Sequence, residues 1–435
     1  MAGIWDRGIG KGIGGKIFCI LICIILGVGS FYIGKVNNAF QKITGSNKKT
    51  SSMVVAVKAD DNADTLSAAA GYTFGVQYAT GGDQTKSAVK QIEKELGQNI
   101  TLQEYSNLGE EAQALYDGEV DAIIYNSAYS NIIKEQYSTF TKDTKVIYKH
   151  NIVVEIESDT SDESVTKPFA VYLSGIDTNG DITEQGRSDV NIVAVVNPTS
   201  HQVLLITTPR DYYVPIPGVS GGQDDKLTHA GIYGVDVSMQ TLEALYDTDI
   251  EFFGRVNFTS MTSVVDALGG LDVESDLEFD TGWESGAEIH VNEGMNHFDG
   301  ISALAFCRER QALPDGDNGR GVHQQAVITA IIKKMMSPAM LRGASDIIDS
   351  VSDGVDTNFT SSQIQSLIKT QLRTNAKWNI YSAAADGTGG TDICYSSGDE
   401  ELYVTYPDEN SVAEISELIK KVKDGETIEG SVSTE

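Results

Sequence analysis

Three apolar runs in the middle of this chain begin or end on charge. FAVYLSGID closes on Asp177, Arg187-Ser188-Asp189 opens the next run, and a third run ends in Pro209-Arg210-Asp211. The runs are apolar enough to be core strands, so their ends bring charge to the edge of a core. A guanidinium is a planar fork matched to phosphate oxygens, and paired aspartates are hard oxygen ligands for a divalent cation. Bound phosphate or metal would account for the pattern. Turn chemistry and edge decoration account for any one of these charges alone. Strict alternation along a strand sets Arg187 and Asp189 on one side.

Further pieces lie downstream. Arg308 and Arg310 bracket Glu309 after the apolar run ALAFC. Read as an extended segment, ALAFCRER gives the two guanidiniums one face, where they repel unless an anion lies between them. Asp317, Arg320 and Gln324 follow at the start of a predicted helix. Arg320 and Gln324 stand four apart, on one face near the positive helix end. Residues 276 to 300 show little period.

The elements that must position these groups alternate in type. After FAVYLSGID come helical stretches at Ser238–Tyr246 and Met261–Leu268, a strand at Phe252–Phe258, and helices at Val322–Met336, Ser361–Leu372 and Val412–Val422. That order fits a mixed β-sheet sandwiched by helices, an α/β fold. Residues 53–150 alternate strand and helix as well, giving a smaller α/β accessory domain. FGVQYATGGDQTKSAVKQIEKEL followed by YDGEVDAIIYN looks like one lobe of a solute-binding protein. A ligand cleft normally needs two lobes, so the region reads as a spacer or an accessory interaction module.

Ile17 to Gly34 is uncharged between Lys16 and Lys35. At about 1.5 Å per residue it suffices for a hydrocarbon core, so one N-terminal transmembrane helix is expected, with a cleaved signal peptide as the competing reading. Lysine and arginine flank both ends, and a short inside tail with the main body outside is the preferred orientation. The chain of 435 residues carries a net charge of −30, although its first fifty residues hold seven Lys or Arg against one Asp. So acidic a body repels nucleic acid. Cys307 and Cys394 are the two cysteines of the body, open to a disulfide or to buried free thiols. No zinc-ligand spacing and no G-x-S-x-G elbow is present.

The charged pieces, in order, resemble the LytR-CpsA-Psr (LCP) family of envelope glycopolymer transferases. The resemblance rests on Asp177, Arg187-Ser188-Asp189, Pro209-Arg210-Asp211, Lys226-Leu227-Thr228-His229-Ala230, Val256-Asn257-Phe258, Val265 to Val273, Arg308-Glu309-Arg310 and Asp317 to Gln325. Thr208, His229 and His323 depart from the residue types usual there. The resemblance implies a Mg²⁺-dependent phosphotransferase that moves a glycopolymer from polyprenyl pyrophosphate onto peptidoglycan. Carried over, Asp177 and Asp189 hold the metal, and Arg187, Arg210, Arg308, Arg310 and Arg320 bind phosphate oxygens. Lys226 and Gln324 are supporting contacts, and Asp317 fixes neighbouring arginines. Phe252–Phe258 and Val264–Leu271 are expected in the wall of a lipid pocket. The alternatives are a non-catalytic binder of the same lipid and a pyrophosphate hydrolase. The expected organisation is a cytoplasmic tail (1–16), membrane helix (17–34), tether (35–52), accessory domain (53–150), linker (151–167), catalytic domain (168–425) and flexible tail (426–435). This makes a single-pass cell-membrane protein.

Overall fold

The computed structural model describes residues 48–155, 165–176, 182, 185–314, 317–335, 354–398 and 400–428. The expected membrane helix Ile17–Gly34 and Asp177 lie outside these residues. Among the described residues, no helix is long and apolar enough to cross a membrane.

The N-terminal lobe holds a five-stranded sheet in the order β3-β2-β4-β1-β5. Its strands are β1 (Lys48–Lys58), β2 (Thr73–Gln77), β3 (Thr101–Tyr105), β4 (Ala122–Asn126) and β5 (Thr144–Glu155). Helices α1 (Gly82–Leu96), α2 (Leu108–Asp117) and α3 (Ser130–Gln136) connect them. Alternation along β1 divides the core: Met53, Val55 and Val57 pack under α1, whereas Val54 and Ala56 pack under α2 and α3. The second cluster does not stop at the lobe. It continues into Ile216, Ala230, Ile232, Tyr233 and Val237 of the next domain, so lobe and main domain share one apolar interior.

The main domain is built on six strands: β6 (Phe169–Ile176), β7 (Ser188–Asn197), β8 (Gln202–Thr207), β9 (Phe252–Asn257), β10 (Val355–Thr357) and β11 (Asn379–Ala384). Their order is β10-β9-β6-β7-β8-β11, with β9 parallel to β6, β11 parallel to β8, and the other neighbours antiparallel. The central strands are buried on both faces, as their nearly unbroken apolar sequences require. On one face Tyr172, Val193, Val195, Leu204 and Ile206 meet α5 (Val235–Tyr246) and α10 (Glu409–Asp424), while the short α4 (Leu227–Tyr233) runs toward the lobe. On the other, Val171, Ile192, Ala194 and Leu205 meet α8 (Asp317–Met335) and α9 (Ser361–Thr374). A third group of helices, α6 (Phe258–Ala267) and α7 (Gly300–Arg308), packs with α8 over the hairpin Leu271–Ser275 and Gly294–Phe298. The mixed sheet between helical layers is the expected α/β class.

One sequence expectation changes here, and one that the sequence leaves open is decided. ALAFCR is not extended: it forms α7, started by Asp299, whose side chain accepts from Ser302 N at 2.8 Å. Cys307 and Cys394 are both buried free thiols.

One buried group in the lobe gives a test. Glu111 of α2 is fully enclosed near the Ile124 backbone, with neither carboxyl oxygen in a well-formed hydrogen bond. Burial pushes its carboxyl well above the ordinary 4.5. The folded lobe then keeps a proton that the unfolded chain releases. This stabilisation is complete below 4.5 and is lost as pH rises through the raised folded value. In urea unfolding at about pH 5 and about pH 8, the wild-type chain is expected to lose stability relative to Glu111→Gln at the higher pH. Parallel curves for the two chains would mean that Glu111 is ionised in the fold.

Candidate active site

The ladder between β6 and β7 is broken at one residue. Ile176 pairs with Ser188 and Gly175 with Val190, which leaves Asp189 as a β-bulge. A Cβ at Gly175 would stand 2.7 Å from Val190 Cγ2, so the crossing requires glycine there. The bulge breaks strict alternation, so Arg187 and Asp189 do not act as a same-face pair. Asp189 lines a cavity of about 610 Å³, and Arg187 does not.

Around Asp189 the charges alternate in sign. Arg210 Nη1 lies 3.0 Å from Asp189 Oδ1, and Arg210 Nε lies 3.3 Å from Asp211 Oδ2. Lys226 Nζ follows at 3.6 Å from Asp211 Oδ1, and Thr228 Oγ1 donates to Asp189 at 3.4 Å. Arg210 lines the cavity, whereas Lys226 stands behind Asp211 and acts on the site through it.

The opposite side of the mouth comes from the end of α7. Arg308 is the last helical residue and Glu309 turns the backbone to an extended conformation, so Arg308 and Arg310 both reach the cavity across a helix end. Glu309 is buried and accepts from Gly282 N at 2.7 Å, Ser285 Oγ at 2.7 Å, Arg310 N at 2.9 Å and Ala312 N at 2.9 Å. Burial alone would raise its carboxyl, but hydrogen bonds from Ala312, Ser285, Gly282 and Arg310 outweigh it and hold the group down at about 2. This carboxylate fixes the arginine pair against the turn Gly282–Ser285.

Helix α8 runs from the polar mouth into the apolar depth. Arg320 and Gln324 line the mouth one turn apart, and Val327, Ile328, Ile331, Ile332 and Met335 continue the same stripe. From Arg320 to Met335 the helix spans about 22 Å. Met261 and Val264 of α6, Leu268 just after it, and Leu304 and Cys307 of α7 close the groove. Burial pushes the Cys307 thiol up to about 12, so it serves as wall rather than nucleophile. His323 turns away from the mouth and stacks on Phe306 at 3.9 Å and Phe279 at 5.3 Å. Burial lowers it to about 4, so it is neutral at physiological pH and adds no cation to the site.

The fold thus brings Asp189, Arg210, Arg308, Arg310, Arg320 and Gln324 to one cavity. It leaves Arg187 and Lys226 outside the lining. Asp317 begins α8, and its side chain lies outside the described residues. Of the expected lipid-pocket wall, Gly254, Val256, Val264 and Leu268 contribute, while Phe252, Phe253 and Leu271 belong to packed cores. The apolar stripe of α8 was not anticipated, although its i, i+3, i+4, i+7 spacing is legible in the sequence.

A profile of the LytR_cpsA_psr family matches residues 123–421. The chain belongs to that family. Its LytR_cpsA_psr relatives include polyisoprenyl-teichoic acid–peptidoglycan teichoic acid transferases TagU. The Bacillus cereus protein is 34% identical over 248 residues, covering 57% of this chain and 76% of that protein. The Enterococcus faecalis protein is 37% identical over 196 residues, covering 45% of this chain and 62% of that protein. Among solved structures, B. subtilis TagV superposes with a TM-score of 0.51 at 26% identity, covering 60% of this chain and 99% of that one. A Streptococcus agalactiae protein superposes with a TM-score of 0.52 at 25% identity, covering 63% and 93%.

Within this LytR_cpsA_psr domain, Glu309 gives a stability test. Its depressed carboxyl contributes stability that is present above 4.5 and lost as pH falls through about 2. Glu309→Ala leaves donors from two segments without their carboxylate and is expected to cost about 2–3 kcal/mol by urea unfolding near neutral pH. A loss under about 0.5 kcal/mol would show that the turn holds itself.

Proposed function

We propose that this chain is a membrane-anchored phosphotransferase that moves a glycopolymer, a teichoic acid or a capsular or exopolysaccharide, from polyprenyl pyrophosphate to peptidoglycan. The observation that carries the reading is one cavity with arginines at its mouth and an apolar groove along α8. Such a shape suits a ligand with a pyrophosphate head and a long hydrocarbon tail. The names of the relatives support the polymer and the acceptor.

In this reading an acceptor sugar hydroxyl attacks the phosphorus that carries the polymer. A P–O bond forms to the acceptor, the bridging P–O bond breaks, and polyprenyl phosphate leaves with the bonding electron pair. The hydroxyl proton passes to a base. Arg210, Arg308, Arg310 and Arg320 bind the phosphate oxygens and stabilise the charge that spreads over them. Gln324 adds an amide to the mouth, Glu309 keeps Arg308 and Arg310 in place, and Lys226 steadies Asp211 behind Arg210.

Mg²⁺ belongs to the same proposal. Among the described residues no three carboxylates, histidines or cysteines cluster as a cage. Mg²⁺ at phosphate sites uses one or two carboxylates and takes its other ligands from phosphate and water, a donor set that Asp189 at the mouth fits. Asp177, the second expected ligand, lies outside the described residues. Bound there, the ion would neutralise charge on the pyrophosphate oxygens. The apolar stretch Ile17–Gly34 supplies the anchor, with the body extracellular, and confines the chain to the surface that holds its lipid-linked donor.

The test combines the full-length protein with a short-chain polyprenyl-pyrophosphoryl saccharide, a peptidoglycan acceptor and Mg²⁺. Saccharide joined to the acceptor is expected. Tight retention without turnover would identify a carrier, and release of polyprenyl phosphate without acceptor would identify a hydrolase. Arg308→Ala and Arg320→Ala are each expected to lower the transfer rate by about a hundredfold or more with little change in thermal unfolding. Normal turnover by either variant would remove that arginine from the site.

A further inference from the structure

In open α/β sheets, ligands sit beyond the carboxyl ends of parallel strands where the strand order reverses. In the lobe that place is between β2 and β4, since β3 lies on the far side of β2. The main domain fills it. Tyr395 Oη donates to Ala79 O at 3.2 Å just beyond β2, and the Tyr233 ring packs 6.1 Å from that of Tyr129 just beyond β4.

Beside that crevice, where the start of β1 runs along the end of β4, the lobe also receives Gln185. Its Oε1 accepts from Ser51 Oγ at 2.5 Å and from Asn126 Nδ2 at 3.2 Å, and its backbone N donates to Thr50 O at 3.2 Å. All three contacts reach the lobe. Two residues on stands Arg187, and four on stands the bulged Asp189 of the cavity. The same short segment is held from two further directions. A Cβ at Gly231 of α4 would stand 2.7 Å from Gly186 O and 2.9 Å from Ser188 N, so the helix lies directly against the segment. The Ser188 hydroxyl is bonded to Tyr172 Oη at 2.6 Å and Ser174 Oγ at 2.8 Å.

A bulge is held only by what surrounds it, because the ladder does not pair its extra residue. β6 and α4 hold the segment within the main domain, and the lobe supplies the third wall. We propose that the lobe is a clamp on the segment 185–189, with Gln185 the positioning residue through which it sets Asp189 at the mouth. Tyr395 and Tyr233 of the main domain stand at the crevice that would receive a solute, and this segment docks beside it, where the start of β1 runs along the end of β4. The inference rests on the reading of the Asp189 cavity as a pyrophosphate site.

The experiment has two arms on the full-length chain. The first measures amide hydrogen exchange across residues 186–190 in wild type, Ser51→Ala, Asn126→Ala and Gln185→Ala, without ligand. Faster exchange there in each variant, with the α10 amides unchanged, is expected. Exchange at the wild-type rate in the folded Asn126→Ala and Ser51→Ala chains would overturn the clamp, even if Gln185→Ala fails to fold. The second arm measures the affinity for farnesyl pyrophosphate with Mg²⁺. Gln185→Ala is expected to weaken binding about tenfold, and this penalty is expected to vanish in an Asp189→Asn background, because a residue that acts through Asp189 is non-additive with it. A packing role predicts the same penalty in both backgrounds, and that result would overturn the proposal. If wild type does not bind the pyrophosphate at all, the reading of the cavity fails, while the exchange arm still decides whether the clamp exists.

Discussion

The relay from Asp189 through Arg210 and Asp211 to Lys226 is what lets an apolar groove end in a charged mouth. Each of these side chains is mostly removed from water, and an isolated charge so placed is costly. Alternating signs offset that cost by giving each carboxylate a cation and leaving Arg210 positioned at the cavity. The relay joins the start of β7, the segment after β8 and the strand Asp224–Lys226, which pairs with Tyr213–Pro215 beside the main sheet. Its order matters: with Lys226 behind Asp211, the carboxylate next to Arg210 has a second cationic partner.

The other side of the mouth solves the same problem with a backbone. Glu309 takes its hydrogen bonds largely from main-chain N–H groups, which cannot swing away, and so the geometry between Arg308 and Arg310 is set before any anion arrives. Two neighbouring guanidiniums repel, and the buried Glu309 carboxylate holds the backbone that carries them. In the proposed reading, a site organised this way requires little rearrangement to receive a pyrophosphate.

Much of this was legible in the sequence, and the rest failed for identifiable reasons. The double-sided burial of β7 and β8 follows from their unbroken apolar runs, and the lobe's alternation of strand and helix follows from its composition. The bulge at Asp189 did not, because period-two reasoning assumes a regular ladder; the Gly175 that permits it was visible, but its close approach to Val190 was not. ALAFCR is too short an apolar run for periodicity to separate strand from helix, and the signal that decides it is Asp299 as the N-cap ahead of Ser302. The lobe's attachment was beyond sequence reading, since Gln185 meets Ser51 across 134 positions and Asn126 across 59.

The charge of the whole molecule then bears on selectivity. A chain with a net charge of −30 repels anionic polymers over most of its surface, and salt screens that repulsion only beyond about 8–10 Å. Four guanidiniums, those of Arg210, Arg308, Arg310 and Arg320, line one cavity, and the field that favours anions there is correspondingly local. A polyanion gains nothing by lying on this protein, and it gains attraction only where its terminal phosphates enter the cavity. The apolar stripe of α8 beyond Arg320 adds a second condition, since free phosphate can satisfy the arginines but leaves that groove empty. In the proposed reading, only a ligand that carries both a phosphate head and a hydrocarbon tail satisfies the two together, and the acidic surface adds discrimination against anions that lack the tail.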